Sequence, residues 1–283
     1  MYMLQYFMDN HFHSAFQRGH WPQLEYICNV DAESSRMPRS MHEHQHITEI
    51  VLVYDGAGIF MIDGKRYTAK TGDLIFYNSK SIHDEFGGNG SELYTYCIGL
   101  SNLRLDKLPP GKIIAPELSP VLSCDKDYPI ILDLFRSIER ESRLPHGTET
   151  AAFLAYALLT KICQLIQTHS SPKEEQKISP ATLAREYIDR HYKENIKLAD
   201  IAKSVHANTY YISHLFRSEI GLSPMKYVIL RRMGEAQNLL INTQLTITEI
   251  ATRVGYNNSN YFQNAFKSAT GITPGDYRST WTK

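Results

Sequence analysis

The feature that most constrains this chain is a repeat in its last hundred or so residues. Ile201-Ala202 with Val205 returns as Ile250-Ala251 with Val254, 49 positions on. Asn208, Tyr211, Phe216 and Gly221 return as Asn258, Tyr261, Phe266 and Gly271, now 50 positions on. The added residue falls in the turn Gly255-Tyr256-Asn257, and Ser223-Pro224-x-x-Tyr227 is echoed by Thr273-Pro274-x-x-Tyr277. Self-similarity at a fixed spacing means that one supersecondary unit is used twice.

Each copy reads as helix, short turn, helix. In the first, Leu198 to Val205 turns Ile201, Ala202 and Val205 to one side. Asn208 then caps a second helix whose Ile212, Leu215, Phe216 and Ile220 face inward. In the second, Thr246-x-x-Glu249 is a capping box, Asn258 is the next cap, and Phe262, Ala265 and Phe266 face inward. Left outside are Thr209, Tyr210, Ser213, His214 and Arg217 in one copy, and Ser259, Asn260, Gln263, Asn264 and Lys267 in the other. A helix fits the major groove of DNA, where Asn and Gln can pair with adenine. Arg217 and Lys267, near the helix ends, suit phosphate. A long helix from Pro224 to Leu240 separates the copies and would set the two reading helices in successive grooves, about 34 Å apart. The alternative is a packed helical pair with an ordinary solvent face. Two copies with the same caps and core positions weigh against it.

The charge distribution agrees. The 30 basic and 30 acidic residues cancel over the whole chain. From Ser179 to Lys283, however, 13 Lys and Arg face 8 Asp and Glu, and the preceding residues carry the opposite excess. A basic half suits a polyanion. Hydrophobic residues at 42% allow a sizeable core. No run of about eighteen apolar residues suggests a membrane span. The N-terminus has no signal-peptide pattern. Cys28, Cys97, Cys124 and Cys163 form no C-x-x-C pair and read as reduced thiols of a cytoplasmic protein.

Before the repeat the pattern is different. Ile47–Tyr54, Ile59–Ile62, Lys65–Thr68, Leu74–Tyr77 and Leu93–Leu100 read as short strands. The steps Asp55-Gly56, Asp63-Gly64 and Thr71-Gly72 read as turns between them. Close-set short strands suggest a small barrel or sandwich. After Pro129, Ile130–Arg143 and Thr150–Gln167 have helical spacing. The second is apolar on more than one side, which suits packing on the barrel or pairing with a second copy. Thr168–Ile178 is polar, contains Ser-Ser-Pro and reads as a linker.

With these motifs in view, residues 196–278 closely resemble the AraC/XylS family of bacterial transcription regulators. The resemblance rests on Leu198-x-x-Ile201-Ala202, Tyr211-x-x-x-Leu215-Phe216, Gly221-x-Ser223-Pro224-x-x-Tyr227 and Arg231-Arg232-x-x-x-Ala236. Its second half rests on Ile250-Ala251-x-x-Val254-Gly255-Tyr256, Tyr261-Phe262-x-x-x-Phe266-Lys267 and Gly271-x-Thr273-Pro274-x-x-Tyr277-Arg278. It implies promoter DNA and RNA polymerase as partners, a homodimer, and activation rather than repression. His214 departs from the family, where arginine is frequent.

The N-terminal part resembles a cupin barrel. His42-x-His44-x4-Glu49-x6-Gly56 matches the first cupin motif, and Gly72-x5-Asn78-x-Lys80-x2-His83 the second, with Asn78 and Lys80 where Pro and Gly are usual. In metal-binding cupins the positions of His42, His44, Glu49 and His83 hold a divalent cation such as Mn, Fe, Ni or Zn. In sensor cupins of this family the same cavity takes an organic effector without metal. Arg39, His42, His44, Glu49, His83 and Tyr96 are the candidate effector contacts, with Tyr54, Tyr77 and Tyr94 as further aromatics suited to a sugar. Strand periodicity alone leaves open whether Glu49 points in with the histidines.

No G-x-G-x-x-G, P-loop or G-x-S-x-G is present. The expected fold is α+β: a cupin-like β-barrel over 1–128, helices over 129–168, a linker over 169–178, and an all-α domain with two helix-turn-helix units over 179–283. The expected function is an effector-responsive, DNA-binding regulator without catalytic activity or an obligatory cofactor. A metal-dependent cupin enzyme with a DNA-binding tail, and a ligand-independent scaffold, are the rivals.

Overall fold

The computed structural model describes residues 14–31, 39–86, 92–169 and 179–281. Among these, eight strands come first: β1 (Gln23–Val30), β2 (Arg39–His42), β3 (Thr48–Ile62), β4 (Lys65–Lys70), β5 (Asp73–Tyr77), β6 (His83–Phe86), β7 (Leu93–Ser101) and β8 (Val121–Ser123). All pairings are antiparallel. β3 organises them. Its first half pairs with β5 and β7, its second with β4 and β6. The sheet extends from β7 to β1, from β5 to β8 and from β6 to β2.

The Asp55-Gly56 step is not the hairpin turn expected from the sequence. It lies inside β3, where the register against β7 shifts between Val53 and Asp55 and Gly56 has φ +82°. A Cβ there would sit 1.9 Å from the Glu92 carbonyl oxygen. Glycine serves a bulge that lets one strand change partners. The Asp63-Gly64 step, with φ 47° and 74°, is a hairpin turn, closing Ile62 onto Lys65. β1, β2, β6 and β8 were not expected. Two of them have four residues or fewer beside a chemistry-bearing histidine, too short for a period to register.

Alternation along β3 divides the domain. Ile50 and Leu52 join Leu74, Phe76, Ile98 and Leu100 beneath the helices α1 (Tyr128–Ser142) and α2 (Thr148–Thr168). These helices contribute Ile131, Phe135, Ile138, Ala155, Leu158, Leu159 and Ile162. Val51 and Val53 point the other way and pack with Phe60, Ile62, Ala69, Ile75 and Tyr77. Each large apolar side chain so buried stabilises the fold by about 1.5–3 kcal/mol. α2 is long and apolar enough by composition to cross a membrane. Its apolar residues are used instead against the sheet, where Ala155, Leu158, Leu159 and Ile162 are 0% exposed. Pro129 lies in the first turn of α1 rather than before it, where its missing N–H has no helical partner to lose.

The C-terminal helices are α3 (Pro180–His191), α4 (Leu198–Ser204), α5 (Thr209–Ile220), α6 (Pro224–Asn242), α7 (Ile247–Arg253), α8 (Ser259–Thr270) and α9 (Pro274–Trp281). Most of the expected linker, residues 170–178, falls outside the described residues. Local chemistry explains the helix ends. Asn208 accepts from Tyr211 N–H at 2.7 Å, and Asn258 from Tyr261 N–H at 3.0 Å. Thr246 and Glu249 cap each other reciprocally. α5 and α8 stop at Gly221 and Gly271, both left-handed. The repeat extends into packing. Phe216 meets Tyr227 edge-on at 5.6 Å and 75°, and Phe266 meets Tyr277 at 5.5 Å and 82°. The first pair belongs to the core of α3–α6 and the second to the core of α6–α9.

Both phenylalanines are fully buried. Phe216→Ala and Phe266→Ala should each cost about 3–5 kcal/mol, read from urea unfolding followed by circular dichroism. A loss below about 1 kcal/mol for either would show that the core has been assigned to the wrong face.

Candidate functional site

The outer faces of α5 and α8 are built alike. Thr209, Tyr210, His214 and Arg217 are exposed on α5, and Ser213 is half-buried. On α8, Asn260, Asn264 and Lys267 are exposed, while Ser259 and Gln263 are half-buried. Tyr210 is 74% exposed, with its ring 4.4 Å from that of His214. Tyr211 and Tyr261, at matching places in the repeat, are also exposed. The buried residues opposite, Ile212, Phe216 and Ile220 on α5 and Phe262, Phe266 and Thr270 on α8, fix which face is free. Both faces therefore offer hydrogen-bonding groups from a rigid backbone, the arrangement that groove reading needs. α6, with 19 residues, connects them.

A second constellation lies in the strand domain. His42 ends β2, His44 follows it, Glu49 lies in β3 and His83 opens β6. Pairing brings them together, since His42 is opposite His83 and Glu49 is opposite Tyr77. One ligand atom from each of the four lies within 4.8 Å of the others. Glu49 Oε2 is 2.8 Å from His83 Nε2 and 3.5 Å from His44 Nε2. The Nδ1 atoms of His42 and His83 are each 3.0 Å from a carbonyl oxygen, of Ser40 and Ser81. A carbonyl only accepts, so Nδ1 carries the hydrogen and Nε2 is the atom turned to the cluster. Tyr77 stacks on His83 at 3.9 Å and 12°. Tyr26 donates its hydroxyl hydrogen to Glu49 Oε1. Burial of the Glu49 carboxyl works to raise its pKa, but the hydrogen bond from His83 and the three nearby imidazoles outweigh it and hold the group well below its usual range.

The donor set fits a divalent transition metal: three imidazoles and a carboxylate, close enough to share one ion, with histidine Nδ1 atoms braced from behind. The alternation that the sequence left open for Glu49 is settled by its neighbours Val51 and Val53, which share its inward face. Lys80, in the place where cupins favour glycine, has φ 66°.

Tyr96 does not join this cluster. It lies on the other face of β7, since its neighbour Cys97 is the inward residue. Its hydroxyl donates to Glu139 Oε2 at 2.9 Å and its ring stacks on Phe135 of α1. Burial, then the hydrogen bond to Glu139, pushes its pKa up to about 12. Tyr54 and Tyr94 are grouped on that side too, with Tyr54 4.9 Å from Tyr96 and 5.8 Å from Tyr94 between ring centroids. Tyr77 alone of these aromatics reaches the cluster. The side chain of Arg39 lies outside the described residues.

The segment 40–44 joins the two constellations. Met41, 1% exposed, enters the core of α3–α6. Ser40 N–H donates to Gln237 Oε1 at 2.8 Å. Gly234 lies so close that a Cβ would be 1.9 Å from the Met41 carbonyl oxygen. Glu43 Oε1 is 3.6 Å from Arg231 Nη2. Arg231, 2% exposed, donates through Nε to Asp189 at 3.1 Å, and Tyr227 donates to the same oxygen. Burial pushes Asp189 up to about 6, against the pull of Arg231 and Arg185. None of these interdomain roles was read from the sequence, although a glycine in the middle of a helix was a usable signal.

Comparison with known proteins agrees with both halves. An AraC-like ligand-binding domain model matches residues 27–159, and a helix-turn-helix domain model matches residues 201–280. The transcriptional regulator YdiP of Escherichia coli strain K12, itself described as uncharacterized, is 28% identical over 98% of this chain and 92% of its own length. The lactose operon transcription activator of Staphylococcus xylosus is 26% identical over 80% of this chain and 82% of its own length. The transcriptional activator RhaS of Klebsiella pneumoniae strain 342 is 24% identical over 86% and 90%. With its ligand-binding domain followed by a helix-turn-helix domain, the chain belongs to the AraC family of DNA-binding transcriptional regulators.

Proposed function

We propose that this chain is an effector-responsive, sequence-specific activator of promoters in the cytoplasm. The observation that carries this reading is the pair of matching polar faces on α5 and α8, tied to one helix. Thr209, Tyr210, Ser213, His214 and Arg217 would meet one major groove, and Ser259, Asn260, Gln263, Asn264 and Lys267 the next. Activation, with RNA polymerase as the partner, is supported by the relatives named as activators. Residues 1–128 would sense, 129–168 would pack and pair two copies, 169–178 would link, and 179–283 would bind DNA. Phe153, 61% exposed on α2, offers an apolar contact for a homodimer.

His42, His44, Glu49 and His83 receive the signal in this reading, with Arg39 as a further contact. A sugar or small metabolite is supported by the relative named for a lactose operon. A second reading has a specific observation in its favour: the four ligand atoms lie within one ion's reach. On this reading the effector is a divalent transition metal ion, which would act as a structural ligand of the sensor. Catalysis is not part of the proposal, since the relatives are transcription regulators. Turnover of a substrate by the metal-loaded protein would favour the enzyme alternative.

Asn260→Ala and Asn264→Ala should each weaken binding to the cognate promoter by about 1–3 kcal/mol while leaving nonspecific binding little changed. Unaltered promoter affinity would remove α8 from base reading. His44→Ala should abolish the effector response in a promoter reporter without lowering expression of folded protein. Elemental analysis of protein purified without chelator decides between the two effector classes: about one transition-metal ion per chain, lost in His44→Ala, supports the metal. Absence of retained metal, with no thermal shift on adding Zn, Mn or Ni salts, leaves the organic effector.

A further inference from the structure

We infer that the extended segment 40–44 is a two-faced latch, through which a metal ion held by His42, His44, Glu49 and His83 tightens the grip of the sensor on α6. The inference rests on the metal reading above and adds a route and a direction to it.

The route follows from extended-chain geometry. Successive side chains in a strand point to opposite sides. In this segment His42 and His44 turn to the cluster, while Met41 and Glu43 turn to the DNA-binding helices. The receiving residues are Arg231, Gly234 and Gln237, three apart on α6, which places them along one helical face. Each contact is of a different kind. Met41 is buried among apolar groups, Ser40 donates its backbone N–H to the side chain of Gln237, and Glu43 makes an ion pair. The close approach at Gly234 leaves no slack between strand and helix.

The direction follows from what a metal ion would restrain. Two of its four ligands flank Glu43. Fixing both imidazoles fixes the backbone at Glu43, which pairs with Arg231, and through His42 restrains the adjoining Met41 and Ser40, which make the other contacts to α6. A ligand shifts an equilibrium only by its difference in affinity between two states. Here the state with 40–44 ordered against α6 is also the state with His42 and His44 aligned on Glu49 and His83. Metal binding and docking should therefore favour each other reciprocally. Because α6 is shared by both helical cores, the docked strand also fixes how α5 and α8 sit relative to the sensor.

The test is amide hydrogen exchange on the full chain, with and without Co²⁺, whose visible absorption reports ligation independently. The comparison variant is Glu43→Gln with Gln237→Ala, which leaves all four cluster residues in place. Saturable Co²⁺ absorption is expected in both proteins. In the wild type, exchange in peptides from the middle of α6 should slow about tenfold on adding Co²⁺, within the usual range of coupling between sites. In the variant, slowing should be confined to the strands of the cluster. Two results overturn the latch while leaving the metal reading intact: Co²⁺ ligation in the wild type without protection of α6, or equal protection of α6 in the variant. No saturable Co²⁺ absorption overturns the metal reading, and the latch with it.

Discussion

The constraint on which the rest depends is the two-residue alternation of the extended chain. In β3 it sends Ile50 and Leu52 beneath α1 and α2, and Glu49, Val51 and Val53 into the space between the sheets. A shift of one residue would bury the Glu49 carboxylate under the helices and turn its histidine partners to nothing. Register is strongly specified when such an exchange of faces is costly. The bulge at Val53–Gly56 then allows the same strand to pair with β4 and β6, which brings His83 to Glu49. Fold and site are set by one geometric rule applied along one strand.

α6 carries the corresponding burden in the other half. A glycine within a helix costs about 1 kcal/mol relative to alanine. Gly234 bears that cost because any side chain would strike the Met41 carbonyl. Arg231 is buried beside Asp189, Tyr227 and Tyr192, with its guanidinium carbon 4.8 Å from the Tyr192 ring centroid. A buried ion pair of this kind contributes little to net stability, but removing one partner leaves an uncompensated charge and costs about 3–5 kcal/mol. The contact is thus selective more than strong.

What was legible in the sequence was local. Asn208, Asn258 and the Thr246–Glu249 box act within three residues, and Gly221 and Gly271 act at single positions, so the helices of the repeat could be read with their faces. The cluster of His42, His44, Glu49 and His83 was legible only as a spacing. Its assembly needs pairings between β2, β3 and β6, and no local pattern states them. The side on which Tyr96 lies was not legible for the same reason, since it depends on the parity of β7, which Cys97 reveals once the strand is paired. Asp55-Gly56 was misread because Asp-Gly serves a bulge and a hairpin equally well, and the choice is made by partners distant in sequence.

The two kinds of legibility meet in segment 40–44. Its sequence, Ser-Met-His-Glu-His, gives no strong strand signal, and only Arg39–His42 is in strand pairing, with a register shift between its ends. Yet from Met41 to His44 its side chains alternate between the helical domain, which Met41 enters through the apolar core and Glu43 meets through Arg231, and the polar cluster. A segment with so little intrinsic preference is held in place by what lies on its two sides. Its local propensity adds little to hold it, so its position depends on the contacts made on its two sides. A stiff central strand such as β3, buried on both faces, has no such freedom. On the proposed reading, sensitivity would lie at the weakly specified edge of the sheet, next to α6, which both helical cores share.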